Sequence, residues 1–479
     1  MKRTIALVLS ACMLLTAAAG CSNSGGSGEN SQPADSSKTL EGNSQAASGE
    51  PVEIEIWTVP DWKGVYSSDE EGADYLDFLN FVAEEFHKEN ENVTITPVLV
   101  DSATRAEKMS IAIQSNELPN MFYESYFALG DYVHEGIMVP LDDIFTEEDL
   151  ADIPKAIIDG VSVGGHTYIF PFSAVAGMMG INVSLVKQAG AEELLPETDD
   201  YGVGVWSPEE FRALLEAVAP LTSDGVYPYA LYANSQQGDT LTNMMLRMYG
   251  GEFVNEEGTA FAINSDAGVK AMEFLAGLVN DKLIAPGGET LSQGDTYEMF
   301  LNKTLVVTAI ENTTRQDLVV GLENGSISDP FEFMWAYYPS DSDAVEHPFC
   351  HVYVKGGAVF DTGDQAEIDA SKQFVKFFSS APYTEASKVL SPVRLSVQDE
   401  IAADPDFDPY MVQITRATAN MMDVNNSIPG YISARAYYYP EMQAIITGQK
   451  EPKAALDDFV KNANDAVADA ISRSTILNP

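Results

Sequence analysis

The stretch from residue 52 to residue 100 decides the fold, because strand and helix signals alternate within it. It reads VEIEIWT at residues 52–58, YLDFLNFVAEEF at residues 75–86 and VTITPVLV at residues 93–100. Apolar residues at alternate positions predict strands at both ends, whereas those of the middle segment recur at helical spacing. Pro97 predicts an edge position for the second strand, since proline cannot donate a ladder hydrogen bond.

The same alternation continues outward from this stretch. Residues 106–113 predict a helix and residues 118–123 a third strand, so the strands are expected to be parallel. In the second half, Ser207 and Glu210 form a capping-box pattern, and residues 456–471 carry a final apolar stripe. The fold class is therefore predicted to be α/β, and a length of 479 residues predicts more than one lobe.

The composition predicts folded lobes with a strongly acidic surface. The chain is 45% hydrophobic and 10% aromatic, which is enough apolar material for sizeable cores. It carries 26 Lys and Arg against 73 Asp and Glu, a formal net charge of −47. Because such a surface repels phosphate backbones, nucleic-acid binding is not expected.

The first fifty residues have the pattern of an export signal followed by a tether. Residues 1–20 contain two basic residues, an apolar run too short to span a membrane, and small residues directly before Cys21. Cys21 resembles the cysteine of the bacterial lipobox, which is diacylated, although residues 17–19 also fit an ordinary signal peptidase. Residues 21–50 are mostly Ser, Gly, Asn, Gln and Ala, which predicts a flexible tether. We therefore expect a lipid-anchored protein on the outer side of the cell membrane.

Sequence signals for other chemistry are weak. Cys350 is the one cysteine outside the signal and the lipid site, so no intramolecular disulfide is expected and Cys350 is predicted to be a buried apolar residue. His347 and His351 flank it, but Pro348 and the strand-like residues 352–354 disfavour a helical metal pair. Residues 404–415 lack the Gly and Glu of a calcium loop. No metal, cofactor or catalytic motif is predicted, and the protein is predicted not to be an enzyme.

Five segments resemble one known family in their order and spacing. They read IEIW at 54–57, IAIQSNELPNMFYES at 111–125, GIMVPLD at 136–142, GGHTYIFPFSAVAGMMGIN at 164–182, and GGEFVN followed by NSDAGVKAMEFLAGLVNDKL within 250–283. Together they resemble the extracellular solute-binding proteins of ABC importers, in the branch of maltose- and multiple-sugar-binding proteins. The chain departs from the family at residues 310–314, which read IENTT where Gly-x-Trp is frequent.

The resemblance implies a two-lobed, periplasmic-binding-protein-like fold of type II, with a ligand cleft between hinge-connected lobes. It places residues 51–170 and 356–396 in the N-terminal lobe, and residues 171–355 and 397–479 in the C-terminal lobe. The implied crossings lie near residues 170–173, near residues 354–356 and after about residue 396. The implied function is that of a monomeric receptor, which captures a mono- or oligosaccharide by lobe closure and delivers it to the transmembrane subunits of an ABC permease.

Candidate binding residues follow from sugar chemistry and from this resemblance. Flat aromatic faces bind a sugar ring and planar polar groups bind its hydroxyls, and both are expected beyond the carboxyl ends of strands. The candidates are Asp61, Trp62, Tyr123, Glu124, Phe172, Ser173, Gln237, Asp239, Glu311, Asn312, Tyr431, Arg435 and Tyr437. Trp206 and Trp335 are predicted to be core residues instead, Trp206 as a hydrophobic staple before the Ser207 cap.

Two other functions remain open from the sequence. One is a secreted carbohydrate-active enzyme, although 73 carboxylates place some pair at glycosidase spacing by chance alone. The other is a surface interaction protein. The solute class is open as well, because the acidity also permits a polyamine, whereas an anionic solute would need Arg435 or another local base.

Overall fold

The computed structural model describes residues 50–474, apart from 68–72, 102–103, 126, 235–238, 419–420 and 423–426. The predicted signal, the lipid site at Cys21 and nearly all of the tether lie outside the described residues, as does Gln237. No helix among the described residues is both long enough and apolar enough to cross a membrane.

Strands and helices alternate along most of the chain. The strands are β1 (Val52–Thr58), β2 (Val93–Leu99), β3 (Met121–Ser125), β4 (Ser162–Val163), β5 (His166–Thr167), β6 (Ile169–Asn182), β7 (Glu197–Thr198), β8 (Gly204–Val205), β9 (Val307–Glu311), β10 (Phe333–Ala336), β11 (Cys350–Val359), β12 (Ser391–Pro392) and β13 (Met421–Met422). The α-helices are α1 (Asp77–Glu89), α2 (Arg105–Ser115), α3 (Leu129–His134), α4 (Glu147–Asp152), α5 (Lys155–Asp159), α6 (Val183–Ala189), α7 (Pro208–Val218), α8 (Asp239–Met244), α9 (Asp266–Asn280), α10 (Gln293–Leu301), α11 (Thr314–Asn324), α12 (Gln365–Phe378), α13 (Leu395–Ala403), α14 (Pro409–Ala417), α15 (Tyr431–Arg435), α16 (Tyr438–Ile446) and α17 (Pro452–Arg473).

The first three strands form the predicted parallel arrangement. β1 pairs in parallel with β2 on one side and with β3 on the other, and β2 lies at the edge of the sheet, as Pro97 predicts. Strand β3 begins three residues later than the sequence pattern suggests. Asn120, just before β3, bonds to β1 through its side chain: its Oδ1 accepts a hydrogen bond from the Glu55 backbone at 2.9 Å.

Two long antiparallel strands, β6 and β11, run through the middle of the main sheet. The C-terminal half of β11 pairs with β3, while the 14-residue β6 pairs with β11 along one part and with β9 and β10 along another. In this register Lys355 on β11 lies beside Ser173 on β6 and Ser125 on β3. Glu311, the last residue of β9, lies beside Gly177 of β6. The ends of β3 and β9 are thereby tied to this pair of central strands, and β1 is joined to them through β3.

Helix α7 shows how local sequence sets an element boundary. Oγ of Ser207 accepts a hydrogen bond from the Glu210 backbone N–H at 3.1 Å. The Glu210 carboxylate in turn accepts one from the Ser207 backbone N–H at 2.8 Å. Trp206 is buried against Phe211, with ring centroids 5.1 Å apart. This is the geometry of a hydrophobic staple beside a capping box, so both predictions are confirmed. Trp335 is also fully buried, as predicted.

Helix α3 makes a close contact with the C-terminal part of the chain. A Cβ atom on Gly130 would lie 2.5 Å from the carbonyl oxygen of Ser427, so the two backbones meet at a position that only glycine fits. The neighbouring Asp131 carboxylate accepts hydrogen bonds from the backbone of Gly430 at 2.6 Å and of Ile432 at 3.2 Å. This contact joins segments that the sequence assigns to different lobes.

Candidate functional site

A buried ion pair lies where the chain leaves β1. Lys355 projects from β11, and its Nζ lies 2.7 Å from Oδ1 and 2.6 Å from Oδ2 of Asp61. Only 10% of the Lys355 side chain and 11% of the Asp61 side chain are exposed. A lysine that is desolvated to this degree needs a counter-charge, which both carboxylate oxygens of Asp61 provide.

A second acid–base pair lies at the end of β3. Oε2 of Glu124 lies 2.7 Å from Nε of Arg105, at the start of α2. Burial raises the pKa of Glu124 to about 7, although Arg105 and Lys355 oppose this rise. Desolvation of the carboxylate therefore outweighs the two nearby positive charges.

Glu311 is the third carboxyl group within electrostatic range of Lys355. Burial raises the pKa of Glu311 to about 7; the positive charge of Lys355 lowers it and the carboxylate of Asp317 raises it further. In contrast to Asp61 and Glu124, the carboxyl group of Glu311 forms no ion pair with any described residue. Asp61 thus binds Lys355 directly, and Glu124 and Glu311 lie within electrostatic range of it.

Aromatic rings pack beside this charged group. Trp62 is fully buried, and its ring centroid lies 4.2 Å from Tyr123, 4.7 Å from Phe78 and 5.9 Å from Phe172. The Tyr123 hydroxyl lies 2.7 Å from Oγ of Ser173, which holds the ring in place. The structure therefore brings together Trp62, Tyr123, Phe172 and Ser173, but their rings contact one another and offer no open stacking face. Their role in binding stays a prediction.

Asn312 supports the backbone beside the site. Its side chain is buried, and its Nδ2 donates hydrogen bonds to the Ala174 carbonyl and to Oγ of Ser391, each at 3.2 Å. These bonds link β9, β6 and β12, so the side chain fixes the strand that carries Glu311. Its predicted contact with a ligand is not tested by this arrangement.

The predicted cluster in α15 and the turn after it is divided by burial. Tyr431 is 3% exposed and Tyr437 is 42% exposed. The Arg435 guanidinium lies 5.6 Å from the Tyr431 ring and 5.5 Å from the ring of Phe127, which follows β3. Phe127 in turn packs edge-on against Tyr353 of β11 at 4.5 Å. Arg435 is thereby connected through aromatic rings to the strand that carries Lys355.

Further tyrosines, which sequence reasoning missed, lie near Tyr353 of β11. Burial raises the pKa of Tyr232, and Tyr439, Tyr338, Tyr229 and Tyr353 raise it further, so the five phenol groups lie near one another. Tyr338 is fully buried, and its hydroxyl has no hydrogen-bond partner among the described residues. Lone tyrosines in apolar runs resemble core residues, so the sequence carries no signal that would distinguish them.

Lys355 and Arg105 were also missed, and for Lys355 a signal exists. It stands in the apolar run CHVYVKGGAV of β11, where a charged residue must be paired or solvated. Of the remaining predicted residues, Asp239 begins α8, but the position of its side chain is not described, and Gln237 lies outside the described residues.

The region around Cys350 is packed as core. Cys350 is buried, and its Sγ lies 3.3 Å from the Ala417 carbonyl, as expected for a small apolar residue. His351 is fully buried, and burial lowers its pKa to about 3, whereas His347 is exposed. Across the described residues no group of three or more His, Cys, Asp or Glu side chains could hold a metal ion.

Comparison with protein families adds a decisive observation. The family model described as bacterial extracellular solute-binding protein matches residues 71–385, about two thirds of the chain. The chain belongs to this family. Curated relatives of this solute-binding protein include proteins of Brucella abortus and Brucella suis, named as candidate binding proteins, which are 22% identical over 223 residues. The alignment spans 47% of the chain and about half the length of these relatives.

Solved structures show the same fold over most of the solute-binding protein. A cyclic α-maltosyl-1,6-maltose-binding protein from Arthrobacter globiformis matches with a TM-score of 0.69 at 20% identity, covering 88% of this chain and all of that one. A solute-binding protein from Thermotoga lettingae, bound with α-D-tagatose, matches with a TM-score of 0.65 at 18% identity, covering 87% and 100%. A Listeria monocytogenes substrate-binding protein in complex with cycloalternan matches with a TM-score of 0.64 at 18% identity, covering 88% and 100%. The predicted two-lobed α/β fold is thus confirmed.

Proposed function

We propose that the protein is a receptor that captures a small solute, a carbohydrate, between its lobes. The observation that carries this proposal is the convergence of Asp61, Glu124 and Glu311 around Lys355, at the ends of β1, β3 and β9. Ligands of open α/β sheets bind beyond the carboxyl ends of strands, and three of the four groups lie there. Because the chain belongs to the solute-binding family, we infer that the solute binds at this position.

The composition of the site supports binding of a polar solute. Lys355 and Asp61 hold each other in place, as do Glu124 and Arg105, so these groups offer fixed hydrogen-bonding directions. Three structural neighbours support carbohydrate as the solute. One is named for binding cyclic α-maltosyl-1,6-maltose, and the other two are complexes with α-D-tagatose and with cycloalternan.

We further propose that the receptor is anchored through a diacylated Cys21 and delivers its solute to an ABC permease. The lipobox-like sequence and the Ser- and Gly-rich tether support the anchor. Metabolic labelling with a radioactive fatty acid, compared between the wild type and Cys21→Ser, tests it. Equal labelling of the two proteins would contradict the anchor.

Carbohydrate hydrolysis is the second candidate, because Glu124 and Glu311 both have a raised pKa of about 7. Glycosidases use a pair of carboxyl groups, one as the acid and the other as the base or nucleophile. Chromatography of oligosaccharides after prolonged incubation with the protein distinguishes the two functions. Intact oligosaccharides are expected, whereas shortened products that disappear in Glu124→Gln would favour hydrolysis.

Thermal unfolding in the presence of candidate solutes tests the receptor function directly. A solute at about 1,000 times its dissociation constant stabilises the folded state by roughly 4 kcal/mol. For a protein of this size that corresponds to a rise in Tm on the order of 10 °C. The panel contains sugars, polyamines, amino acids and sugar phosphates. A well-folded sample that none of them stabilises would contradict the proposal.

A matched pair of variants then assigns the site. Lys355→Met removes the central charge, whereas Lys155→Met removes a lysine whose side chain is 85% exposed on α5. We expect solute binding to be lost in the first and retained in the second. Equal affinity in both variants would show that the solute binds elsewhere.

A further inference from the structure

Helix α3 lies at the boundary between two apolar cores. Leu129 and Val133 of α3 belong to a core that includes apolar residues of β11. Tyr431 and Ala434 of α15 belong to a different core, which includes residues of α9 and α17. Hydrogen bonds join α3 to α15 across this boundary. Polar contacts between separately packed cores can break without opening either core, which is what a moving interface requires.

Asp131 caps α15 from the other side of this boundary. Its Oδ1 accepts a hydrogen bond from the Gly430 N–H at 2.6 Å, and its Oδ2 accepts one from the Ile432 N–H at 3.2 Å. Gly430 is the N-cap of α15 and has no side chain with which to cap the helix. The Asp131 carboxylate therefore satisfies donors that α15 cannot satisfy itself, and its negative charge suits the positive end of the helix.

The fit between α3 and the C-terminal segment is close. A Cβ atom on Gly130 would lie 2.5 Å from the carbonyl oxygen of Ser427 and 2.6 Å from that of Ile428. At the other end of α3, Nδ1 of His134 lies 3.0 Å from Oγ of Ser474, the residue that follows α17. The contact thus extends from the second residue of α3 to its last.

The capped helix also carries Tyr431 and Arg435, which are predicted binding residues. The Arg435 guanidinium lies 5.5 Å from the ring of Phe127, two residues before α3. Helix α15 is therefore held against the segment between β3 and α3 at both of its ends, by Asp131 at the start and by Phe127 at the end. The position of Arg435 thus depends on the bonds that Asp131 makes.

We propose that the contact between α3 and α15 is a latch that breaks when the lobes open, and that Asp131 is the positioning residue that closes it. This inference rests on the proposed receptor function, because α3 and α15 fall in different predicted lobes. In the closed form Asp131 holds the start of α15 and so keeps Arg435 beside Phe127. In the open form water replaces Asp131 as the partner of the two backbone N–H groups. Because such an exchange of partners changes the free energy only modestly, the latch biases the lobes without locking them.

Two measurements on the full protein without any solute test the latch. Small-angle X-ray scattering gives the radius of gyration, and the tether contributes equally in all variants. Hydrogen exchange of the peptide that contains Gly430 and Ile432 reports on the capped N–H groups. Asp131→Ala should lower the ratio of closed to open molecules by about tenfold, so that the radius of gyration rises and the peptide exchanges faster.

A matched control separates a latch from an ordinary helix cap. Asp364 accepts hydrogen bonds from the backbone of Ala366 at 2.8 Å and of Glu367 at 3.3 Å, so it caps α12 within one predicted lobe. Asp364→Ala should speed exchange at the start of α12 and leave the radius of gyration unchanged. Asp131→Asn keeps one acceptor oxygen and should give a radius between those of the wild type and Asp131→Ala, which also serves if the alanine variant does not fold.

Each outcome decides the proposal. Faster exchange at Gly430 and Ile432 with an unchanged radius of gyration would mean that Asp131 only caps α15, and the latch would be overturned. A rise in the radius in Asp364→Ala equal to that in Asp131→Ala would also overturn it. Because no solute is present, either failure leaves the receptor function standing, whereas the thermal panel of candidate solutes tests that function separately.

Discussion

Lys355 and Asp61 are 294 positions apart in the sequence, yet Nζ of Lys355 lies 2.7 Å from one carboxylate oxygen of Asp61 and 2.6 Å from the other. The pair connects the loop after β1 with the central strand β11. Because both side chains are nearly buried, the pair is expected to matter more to stability than the exposed ion pairs of this acidic surface.

Removal of one partner should therefore be costly. Lys355→Met leaves the Asp61 carboxylate without its cation, and we expect a loss of about 3 kcal/mol in the free energy of unfolding. Asp61→Asn together with Lys355→Met should recover much of that loss, since no unpaired charge remains. Denaturant unfolding of both single variants and the double variant measures the coupling. Additive effects would show that the two residues do not act as a pair.

Glu311 should make stability depend on pH in a defined direction. Its pKa rises from 4.5 to about 7 on folding, so the folded protein binds this proton more tightly than the unfolded chain does. The contribution is therefore fully favourable below pH 4.5 and is lost as the pH rises to about 7. Relative to the wild type, Glu311→Gln should gain stability over that interval, by at most on the order of 3 kcal/mol.

Unfolding curves at several pH values measure this difference between variant and wild type. Glu124 titrates in the same interval but is present in both proteins, so its contribution cancels. Glu257→Gln, in an exposed turn, should show no such pH-dependent difference. A difference for Glu311→Gln that does not change between pH 4.5 and 7 would mean that Glu311 has an ordinary pKa.

Gly130 should be irreplaceable for steric reasons. Gly130→Ala would place Cβ 2.5 Å from the Ser427 carbonyl oxygen, so the contact between α3 and the C-terminal segment must open. We expect a loss of about 1–3 kcal/mol in the free energy of unfolding. Gly294 in α10 is the control, because the nearest atom to its Cβ would lie at 3.7 Å, so Gly294→Ala should be neutral or stabilising. Equal stability of the two variants would contradict this account.

The start of α7 should be stabilised by two separable contacts. Ser207→Ala removes the capping hydrogen bond to Glu210 and should cost about 1 kcal/mol. Trp206→Ala removes a buried ring that packs on Phe211 and donates from Nε1 to the Tyr337 carbonyl at 2.7 Å, and should cost about 3–5 kcal/mol. Thermal unfolding of the two variants ranks them. A larger cost for Ser207→Ala would show that the tryptophan is not the main anchor.

Much of the fold could be predicted because its signals are local. The alternation in residues 52–58, the capping box at Ser207 and the edge position implied by Pro97 each depend on a few neighbouring residues, and each is confirmed. Strand β3 begins later than predicted, and Asn120 just before it binds the Glu55 backbone through its side chain.

The site was harder to predict, because it depends on pairings between distant residues. Sequence reasoning selected Asp61, Glu124 and Glu311 from the ends of strands, but not Lys355, which lies within a strand and makes sense only beside Asp61. It also selected Trp62 as a binding residue, and the ring is fully buried among other aromatic residues. Exposure is a tertiary property that periodicity does not reveal for an isolated loop residue.

The continuity of β6 has a consequence for how the protein melts. This single 14-residue strand hydrogen-bonds to β11, β9, β10 and β12, which belong to both predicted lobes. If either predicted lobe unfolded alone, strands of the other would lose their backbone hydrogen-bond partners on β6. Scanning calorimetry should therefore record one cooperative heat-absorption peak, with equal calorimetric and van't Hoff enthalpies.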